Sequence, residues 1–288
     1  MIIIAGAIVV TFSVLGGFIM AGGNPITLMH ISELVIIGGA AMGALITMSP
    51  KKVLMDIIKK TMVALKGNPH GRVDYEDLLK ALYELFMIAR RNGMIALEDH
   101  VVNPETSSIL TKYPSFLKNK HAVEFLCGSL RPVIDGKVKP EQLKMLMEIE
   151  IERMEEEIHA PVNVLTRTAD SMPGFGIVAA VLGIVLTMAA ISGPIEQIGE
   201  KVAAALVGTF LGILMAYGYL NPLAVKLEFV GKAELDYIKC IASAVSGFAS
   251  GMAPIMAIEL ARRGLESEVK PSADELEAMV KSISVAKA

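Results

Sequence analysis

The stretch 171–195, SMPGFGIVAAVLGIVLTMAAISGPI, contains no Asp, Glu, Lys or Arg. A second uncharged stretch of 24 residues, 202–225, follows a short connection that ends at Lys201. About 20 apolar residues cross a bilayer as an α-helix, because each residue rises about 1.5 Å through a hydrocarbon core of about 30 Å. The two stretches therefore predict two membrane-spanning helices, at about 172–192 and 201–223.

The first 50 residues repeat this pattern. Residues 1–32 and 34–50 contain no charged side chain and are separated by Glu33 alone. They predict two further spans, at about 2–21 and 32–50. A cleaved signal peptide would need a basic segment before its apolar core. The opening sequence MIII has none, so we expect the first span to be retained.

The composition fits a membrane protein built from helices. Of the 288 residues, 53% are hydrophobic and only 20% are charged, and the mean hydropathy is +0.54. Such values exclude a disordered or fibrous chain and are unusual for a soluble enzyme. We therefore predict an all-α integral membrane protein with four transmembrane helices and a large helical cytoplasmic domain. The net charge of −3 gives no reason to expect nucleic acid as a partner.

The distribution of basic residues predicts the orientation. Of the 27 Lys and Arg residues, 18 lie in 51–170 and 8 lie after residue 225; the remaining one is Lys201. Because Lys and Arg stay on the cytoplasmic side of a membrane, both termini are expected inside. An uncharged stretch at 240–258 would break this asymmetry as a fifth span, so it is interpreted as a cytoplasmic helix near the membrane. The predicted segments are membrane helices 1 and 2 in 1–50, a cytoplasmic helical domain in 51–170, membrane helices 3 and 4 in 171–225, and cytoplasmic helices in 226–288.

A helix with a charged end is predicted inside the cytoplasmic domain. Asp74 can cap this helix, and Gly93 can end it. Arg90 and Arg91 then lie in the last turn, and Glu98 lies just beyond. Cations suit a helix C-terminus, and Arg90 can pair with Glu98, so the spacing alone favours a structural role for these charges.

No part of the sequence predicts an enzyme. An acidic helix is expected at 141–159, ending or kinking at Pro161. Its single E-x-x-H pair does not make a di-iron site, which needs two such pairs. Cys127 and Cys240 lie far apart, and the phosphate-binding, zinc-protease and serine-hydrolase motifs are absent from the sequence. We therefore expect no metal, no cofactor and no catalytic residue.

The predicted spans carry no ionisable residue at depth. Glu33 and Asp170 are interpreted as span-end residues. An ionisable group inside a membrane usually marks an ion path. If this chain conducts protons, the titrating carboxylate must therefore come from a partner.

Small residues and prolines indicate where the spans pack or bend. The motifs Gly39-x-x-x-Gly43 and 208–212, another G-x-x-x-G, allow helix backbones to approach closely. Pro173 opens the third predicted span and Pro222 closes the fourth. The two prolines are expected to ring the inner mouth of any path that these two helices form.

Several strings together resemble the MotA family of flagellar motor stator subunits, a branch of the MotA/TolQ/ExbB proton channel family. The resemblance covers nearly the whole chain. The strings are ELVII at 33–37, PGFGIVAAV at 173–181, VGTFLGIL at 207–214 and AYG at 216–218. The spaced motif Arg90, Gly93 and Glu98, with one basic and one acidic residue, also matches.

The resemblance implies an assembly that converts proton-motive force into torque. Five chains would form a ring around two copies of a single-span partner, MotB, which supplies an essential Asp. This complex would lie in the bacterial inner membrane, with both termini of the chain in the cytoplasm. The transported proton would be its cargo, and no cofactor is implied.

The resemblance also implies a contact with the rotor protein FliG. Arg90 and Glu98 match the charged residues of the family that meet the rotor. Arg91 adds a second cation beside them, which leaves open which arginine makes the contact.

Four positions match the ion path of the family. Pro173 and Pro222 would couple protonation of the partner to movement, and Thr209 would line the path near the partner's Asp. Ala180 stands where sodium-driven relatives tend to carry Thr, which favours protons.

Three alternatives remain open at this point. An energiser of the ExbB or TolQ type would share the final pair of spans, but usually has three spans and an external N-terminus. A sodium-driven stator would share the whole plan. A passive scaffold or a membrane enzyme is the third alternative, although the sequence offers no convergent titratable groups for an enzyme.

Overall fold

The structure, a computed structural model, describes residues 2–285, with side chains for 2–283. Within those residues the chain is helical and has no β-strand. The α-helices are α1 (Ile2–Met20), α2 (Ile31–Met48), α3 (Lys51–Lys66), α4 (Arg72–Asn92), α5 (Glu98–Val102), α6 (Pro114–Lys118), α7 (Lys120–Ile134), α8 (Pro140–Ala189), α9 (Ile195–Ile213), α10 (Asn221–Ala249), α11 (Pro254–Arg263) and α12 (Ala273–Val285). Short 3-10 helices occupy Pro25–Leu28, Met94–Leu97, Pro104–Thr106 and Leu110–Lys112, and a π-helix occupies Leu214–Leu220.

The chain divides into two compact units. Residues 2–67 and 157–231 form the first, which we call the span unit, and residues 68–156 and 232–285 form the second, which we call the core unit. Both α8 and α10 contribute residues to each unit. These two units are defined by contacts between residues. The segments predicted from the sequence are defined by where charged residues begin and end, so the predicted domain boundaries stay predictions.

Four helical segments in the described residues are long and apolar enough to cross a membrane, as predicted. The first two, α1 and α2, begin and end within two residues of the predicted limits. α1 has no buried residue. Its apolar side chains are exposed within a single chain, which is expected of a helix whose surroundings are lipid or neighbouring chains.

The third span is part of a longer helix than the sequence predicts. α8 runs for 50 residues without interruption and contains both Pro161 and Pro173. The helix therefore does not end at Pro161, which was one of the two outcomes predicted there. A proline removes one backbone hydrogen bond, and packed neighbours compensate that loss. The neighbours of Pro161, Val162 and Leu165, pack against Ala64 of α3 and Leu227 of α10.

The fourth span changes its helix type before Pro222. α9 ends at Ile213, seven residues of π-helix follow, and α10 begins at Asn221. The Asn221 N–H donates to the Ala216 carbonyl, five residues earlier, which is the π-helical pattern. The helix does not end at Pro222, because α10 continues to Ala249, so the predicted end of the span there stays a prediction. The wider turn accommodates Pro222, which lacks an N–H group.

The core unit has a large apolar core. α4 buries one face in it, and the ring of Phe86 stacks on that of Phe248 at 4.3 Å between centroids. The uncharged stretch 240–258 belongs to this core as the end of α10 and the start of α11, which supports its interpretation as a packed helix rather than a fifth span. α12 begins with a reciprocal cap between Ser272 and Glu275, the capping-box pattern.

Both ends of α4 are defined by glycines. Gly71 is the N-cap, and Asp74 lies three positions later with its carboxylate accepting the Gly71 N–H at 2.7 Å. Asp74 therefore supports the helix start without being the N-cap residue that the sequence predicts. Gly93 ends the helix at φ 86°, a left-handed conformation that glycine adopts at little cost.

Candidate ion path and rotor-contact surface

Glycines bring α8 and α9 into backbone contact. A Cβ atom at Gly212 would lie 2.7 Å from the Met172 carbonyl oxygen, and one at Gly176 would lie 2.9 Å from the Gly208 carbonyl oxygen. Side chains larger than hydrogen would separate the helices at these points. The prediction from the glycine pair at 208–212 is therefore confirmed.

The other glycine pair packs against nothing in the chain. A Cβ atom at Gly39 or Gly43 would meet no atom of the described residues within 4 Å. The prediction of close packing there is not met within one chain, because periodicity alone identifies a smooth helix surface and not the surface that faces it.

The close contact puts two predicted path residues at one level. Gly176 approaches Thr209, since its Cβ would lie 3.2 Å from the Thr209 Cα. Gly208 approaches Ala180, since its Cβ would lie 3.5 Å from the Ala180 nitrogen. Ala180 and Thr209 are both half-buried, and each lies beside a glycine contact between α8 and α9.

The two predicted prolines lie at different levels. Pro173 is half-buried on α8, next to Met172, whose carbonyl meets Gly212. Pro222 is exposed at the start of α10, 13 residues after Thr209, about 20 Å of helix rise. The structure thus places Ala180 and Thr209 within one helical turn of the same α8–α9 contact and leaves Pro222 at the far end of the π-helix.

The π-helix is joined to α1 by polar and close contacts. The Thr11 and Tyr219 hydroxyls share a hydrogen bond of 2.8 Å, and a Cβ at Gly218 would lie 3.1 Å from Val10. π-Helical turns often occur at functional sites because they shift side chains by one position around the helix. Sequence analysis missed this element, since its residues also fit an ordinary apolar helix.

Glu33 is the site residue that sequence analysis misjudged. It lies in the first turn of α2, as a span-end residue should, but it is only 5% exposed. Its Cγ would lie 3.5 Å from a Cβ at Gly208, and so it sits beside the middle of the α9 and π-helix segment. Its place in the first turn of α2 agrees with the prediction of a span-end residue, but the burial of its side chain against α9 was not predicted.

The other predicted span-end acid is placed as expected. Asp170 is exposed on α8 and its carboxylate accepts a hydrogen bond from the Asn221 side chain at 3.5 Å. It is therefore a surface group within the chain, in contrast to Glu33.

The predicted rotor-contact residues lie on the surface of the core unit. Arg90 is exposed in the last turn of α4, and Glu98 is exposed where α5 begins. Among the described residues no ion pair joins these two side chains, so the structure does not support the predicted pairing of Arg90 with Glu98. Arg91 is also exposed. Exposed charges without a partner in the chain are available to another protein.

A cavity adjoins Arg90. It has a volume of about 410 Å³, and α4, α7 and α10 contribute to its wall together with the turn at Gly93. Its lining is Ala89, Arg90, Gly93, Met94, Val133, Phe248 and Ala249. A cation at the edge of an apolar cavity suits recognition of an acidic side chain next to an apolar one.

Comparison with known families identifies both halves of the chain. Residues 4–93 match the family described as Motility protein A N-terminal. Residues 117–239 match the MotA/TolQ/ExbB proton channel family. The first match favours a motor stator over the ExbB or TolQ alternative.

Relatives and solved structures agree with these matches. The chain is similar to Motility protein A of Salmonella typhimurium, with 38% identity over 98% of this chain and 96% of the relative. It is 36% identical to Motility protein A of Escherichia coli over the same shares. The fold is similar to that of C. jejuni MotAB, with a TM-score of 0.77, 25% identity and coverage of 94% of this chain and 98% of that one. The chain therefore belongs to the Motility protein A family, the stator subunits of the bacterial flagellar motor, within the MotA/TolQ/ExbB proton channel family.

Proposed function

We propose that this chain and a MotB-type single-span partner form a proton-conducting ring that drives the flagellar rotor. Five copies surround two partner helices in the inner membrane, with both termini of each chain in the cytoplasm. The C. jejuni structure similar to this chain is of MotAB, which supports a MotB-type partner. The family is one of proton channels, not of enzymes, which supports proton transport without cofactor or catalytic residue.

The carrying observation is the lack of acids in the two uncharged stretches of the third and fourth spans. The uncharged stretches 171–195 and 202–225 contain Ala180 and Thr209, which lie beside the α8–α9 contact, and they contain no Asp, Glu or His. A path beside these helices therefore needs the partner's Asp as its central proton carrier. Ala180 offers no oxygen ligand for sodium, which favours protons over sodium at this position.

The mechanism couples partner protonation to helix movement. A proton from outside neutralises the partner's Asp, and the neutral side chain can then move past the apolar surface of α8 and α9. The π-helix and Pro222 supply a segment that can exchange hydrogen-bond partners without breaking the span, and Pro173 lacks one backbone donor on α8. Each proton supplies about 2.3 kcal/mol per 100 mV, so movement must be tightly coupled to its passage.

Torque then passes to the rotor through charges on the core unit. Arg90 and Glu98 contact FliG in this proposal, and the cavity beside Arg90 takes a neighbouring apolar side chain of the rotor. Arg91 lies beside Arg90 and contributes to the same electrostatic surface. Charge pairs of this kind set the orientation and rate of association more than its affinity.

The function is tested by complementation of a motile bacterium that lacks its own MotA protein. The chain, expressed with its MotB-type partner, is expected to restore swimming. The double variant R90E/E98K is expected to insert in the membrane normally but to reduce swimming strongly. A matched control, K144E/E148K, reverses an exposed ion pair on α8 and should leave swimming unchanged. Full swimming of R90E/E98K would remove these residues from the rotor contact.

A further inference from the structure

The span unit contains one buried carboxylate among the residues that the structure describes, that of Glu33. Its side chain accepts a hydrogen bond of 2.6 Å from the Ser32 hydroxyl. No cation of the described residues pairs with it. The Glu33 side chain is thus buried, and the hydrogen-bond donor that it contacts is the neutral Ser32 hydroxyl.

The position of Glu33 is set by a glycine. Gly208 has no side chain, and a Cβ there would lie 3.0 Å from the Ala179 Cβ and 3.5 Å from the Glu33 Cγ. The carboxylate-bearing side chain of α2 therefore extends over α9 at the same turn as Thr209 and across from Ala180. These are the residues that the proposed proton path already uses.

The surroundings offer no second carboxylate among the described residues, and the other titratable group nearby is His30. The facing segments of α8 and α9, 176–188 and 202–215, contain no charged residue and no His. The 3-10 helix Pro25–Leu28 has none either. His30, one turn before Glu33, is half-buried and lies on the same end of α2. A proton that reaches this level of the span unit therefore has the Glu33 carboxylate as its acceptor.

Packing alone does not explain an acid at this position. The first turn of a helix favours a negative charge, but burial with one hydrogen bond favours a neutral side chain. A glutamine has nearly the same shape and could accept the Ser32 hydrogen bond without a charge. What glutamine cannot do is bind and release a proton.

We infer that Glu33 is this chain's own proton acceptor in the outer half of the ion path. A proton from the external solution binds a Glu33 carboxylate oxygen, and the neutral acid then gives it to the ionised carboxylate of the partner's Asp, which regenerates the Glu33 carboxylate. This inference rests on the proposed function. It adds to that function an acid contributed by the ring, so that the partner's Asp is loaded by a neighbouring group and not directly from bulk water.

The inference is tested on the purified complex of this chain with its MotB-type partner in proteoliposomes under an imposed membrane potential. Proton flux is compared among wild type, E33Q and E33D, with E196Q as the control because Glu196 is an exposed acid at the start of α9. We expect flux in E33Q to fall by about tenfold or more, since a positioned proton acceptor typically contributes at least about 10²-fold. E33D keeps an acid and should retain most of the flux, and E196Q should match wild type.

The outcomes separate this inference from the proposed function. Absence of flux in the wild-type complex would contradict the proposed function itself. Flux of E33Q within about twofold of wild type would overturn only the role of Glu33. Co-purification of the partner is measured for every variant, and E33N is compared with E33D as a second acid and amide pair. If both acids bind the partner and neither amide does, the carboxylate serves assembly and the inference is overturned.

Discussion

The two units of this chain each bury a glutamate, and they treat it differently. In the core unit, Glu84 accepts hydrogen bonds of 2.8 Å from the Lys112 ammonium and from the Tyr113 hydroxyl. In the span unit, Glu33 has the hydroxyl of its neighbour Ser32. The buried charge of Glu84 is thus balanced by a cation and a hydroxyl donor of the same unit, as is usual for buried charges in stable domains. Glu33 is left available for a proton.

The same contrast holds for apolar surface. The core unit encloses its large side chains, whereas the span unit exposes many of its own and has no buried residue on α1. A unit that completes its core is stable as a single chain, while one that exposes its apolar surface depends on lipid, on neighbouring copies or on a partner. The predictions below test that difference, from the largest expected effect to the smallest.

The largest effect is expected from a core substitution. Phe86 is fully buried and stacked on Phe248, so F86A should lower the free energy of unfolding of the core unit by about 3–5 kcal/mol. The matched variant F12A removes a ring of α1 that is 73% exposed and should change that free energy little. Thermal unfolding of the purified chain, followed by circular dichroism, measures both. Equal losses would show that α1 is packed within the chain.

A smaller effect is expected where α8 meets α9. In G212A the new Cβ meets the Met172 carbonyl, a backbone atom that cannot rotate away, so we expect a loss of about 1–3 kcal/mol. G43A places its Cβ in open space and should change the stability of the isolated chain by less than about 0.5 kcal/mol. Heat-induced aggregation of the chain in detergent compares the two. A harmless G212A would contradict the close packing of these helices.

Removal of the Glu84 carboxylate should lower the free energy of unfolding moderately. E84A leaves the buried Tyr113 hydroxyl without its acceptor, which costs about 1–2 kcal/mol, while Lys112 is half-exposed and recovers water. Adding Y113F should recover part of the loss, because it removes the unsatisfied hydroxyl. A double-mutant cycle by chemical denaturation measures this coupling. Additive losses would mean that the two side chains do not interact.

The smallest effect is expected on the pH dependence of stability. Hydrogen bonds from Arg262, with further help from Arg263, lower the pKa of Glu259 to about 2. A lowered carboxylate pKa stabilises the folded core unit above about pH 4.5, and that contribution is lost as the pH falls toward 2. E259Q should therefore be less stable than wild type at pH 7, by about 1 kcal/mol, and the difference should shrink below pH 4.5. A difference that does not change between pH 7 and pH 3 would contradict this linkage.

Charge patterns predicted the limits of the helices in the span unit well, but they did not predict which helices pack against one another. The ends of α1 and α2 follow from where charges stop, because a charge cannot enter the bilayer core cheaply. The burial of Glu33 could not be predicted, since it depends on how α2 packs against Gly208 of α9. Pro161 misled for a similar reason: a local rule predicts a break, but packing against α3 and α10 keeps α8 continuous.

The exposed charges of Arg90 and Glu98 were predictable from their spacing, but their lack of pairing was not. Two opposite charges eight residues apart can meet if the chain folds back, and the turn at Gly93 does not bring them together. The cavity beside Arg90 also involves Val133 and Phe248, which are distant in sequence. Sites assembled from distant segments need the tertiary structure before they can be seen.

The central claim is that the ring cannot conduct protons without an acid from its partner. Its most direct test compares proton flux in proteoliposomes that contain this chain alone, the chain with its MotB-type partner, and the chain with a partner whose essential Asp is changed to Asn. The account predicts flux for the complete complex and none for the other two. Gated proton flux through the chain alone would contradict it.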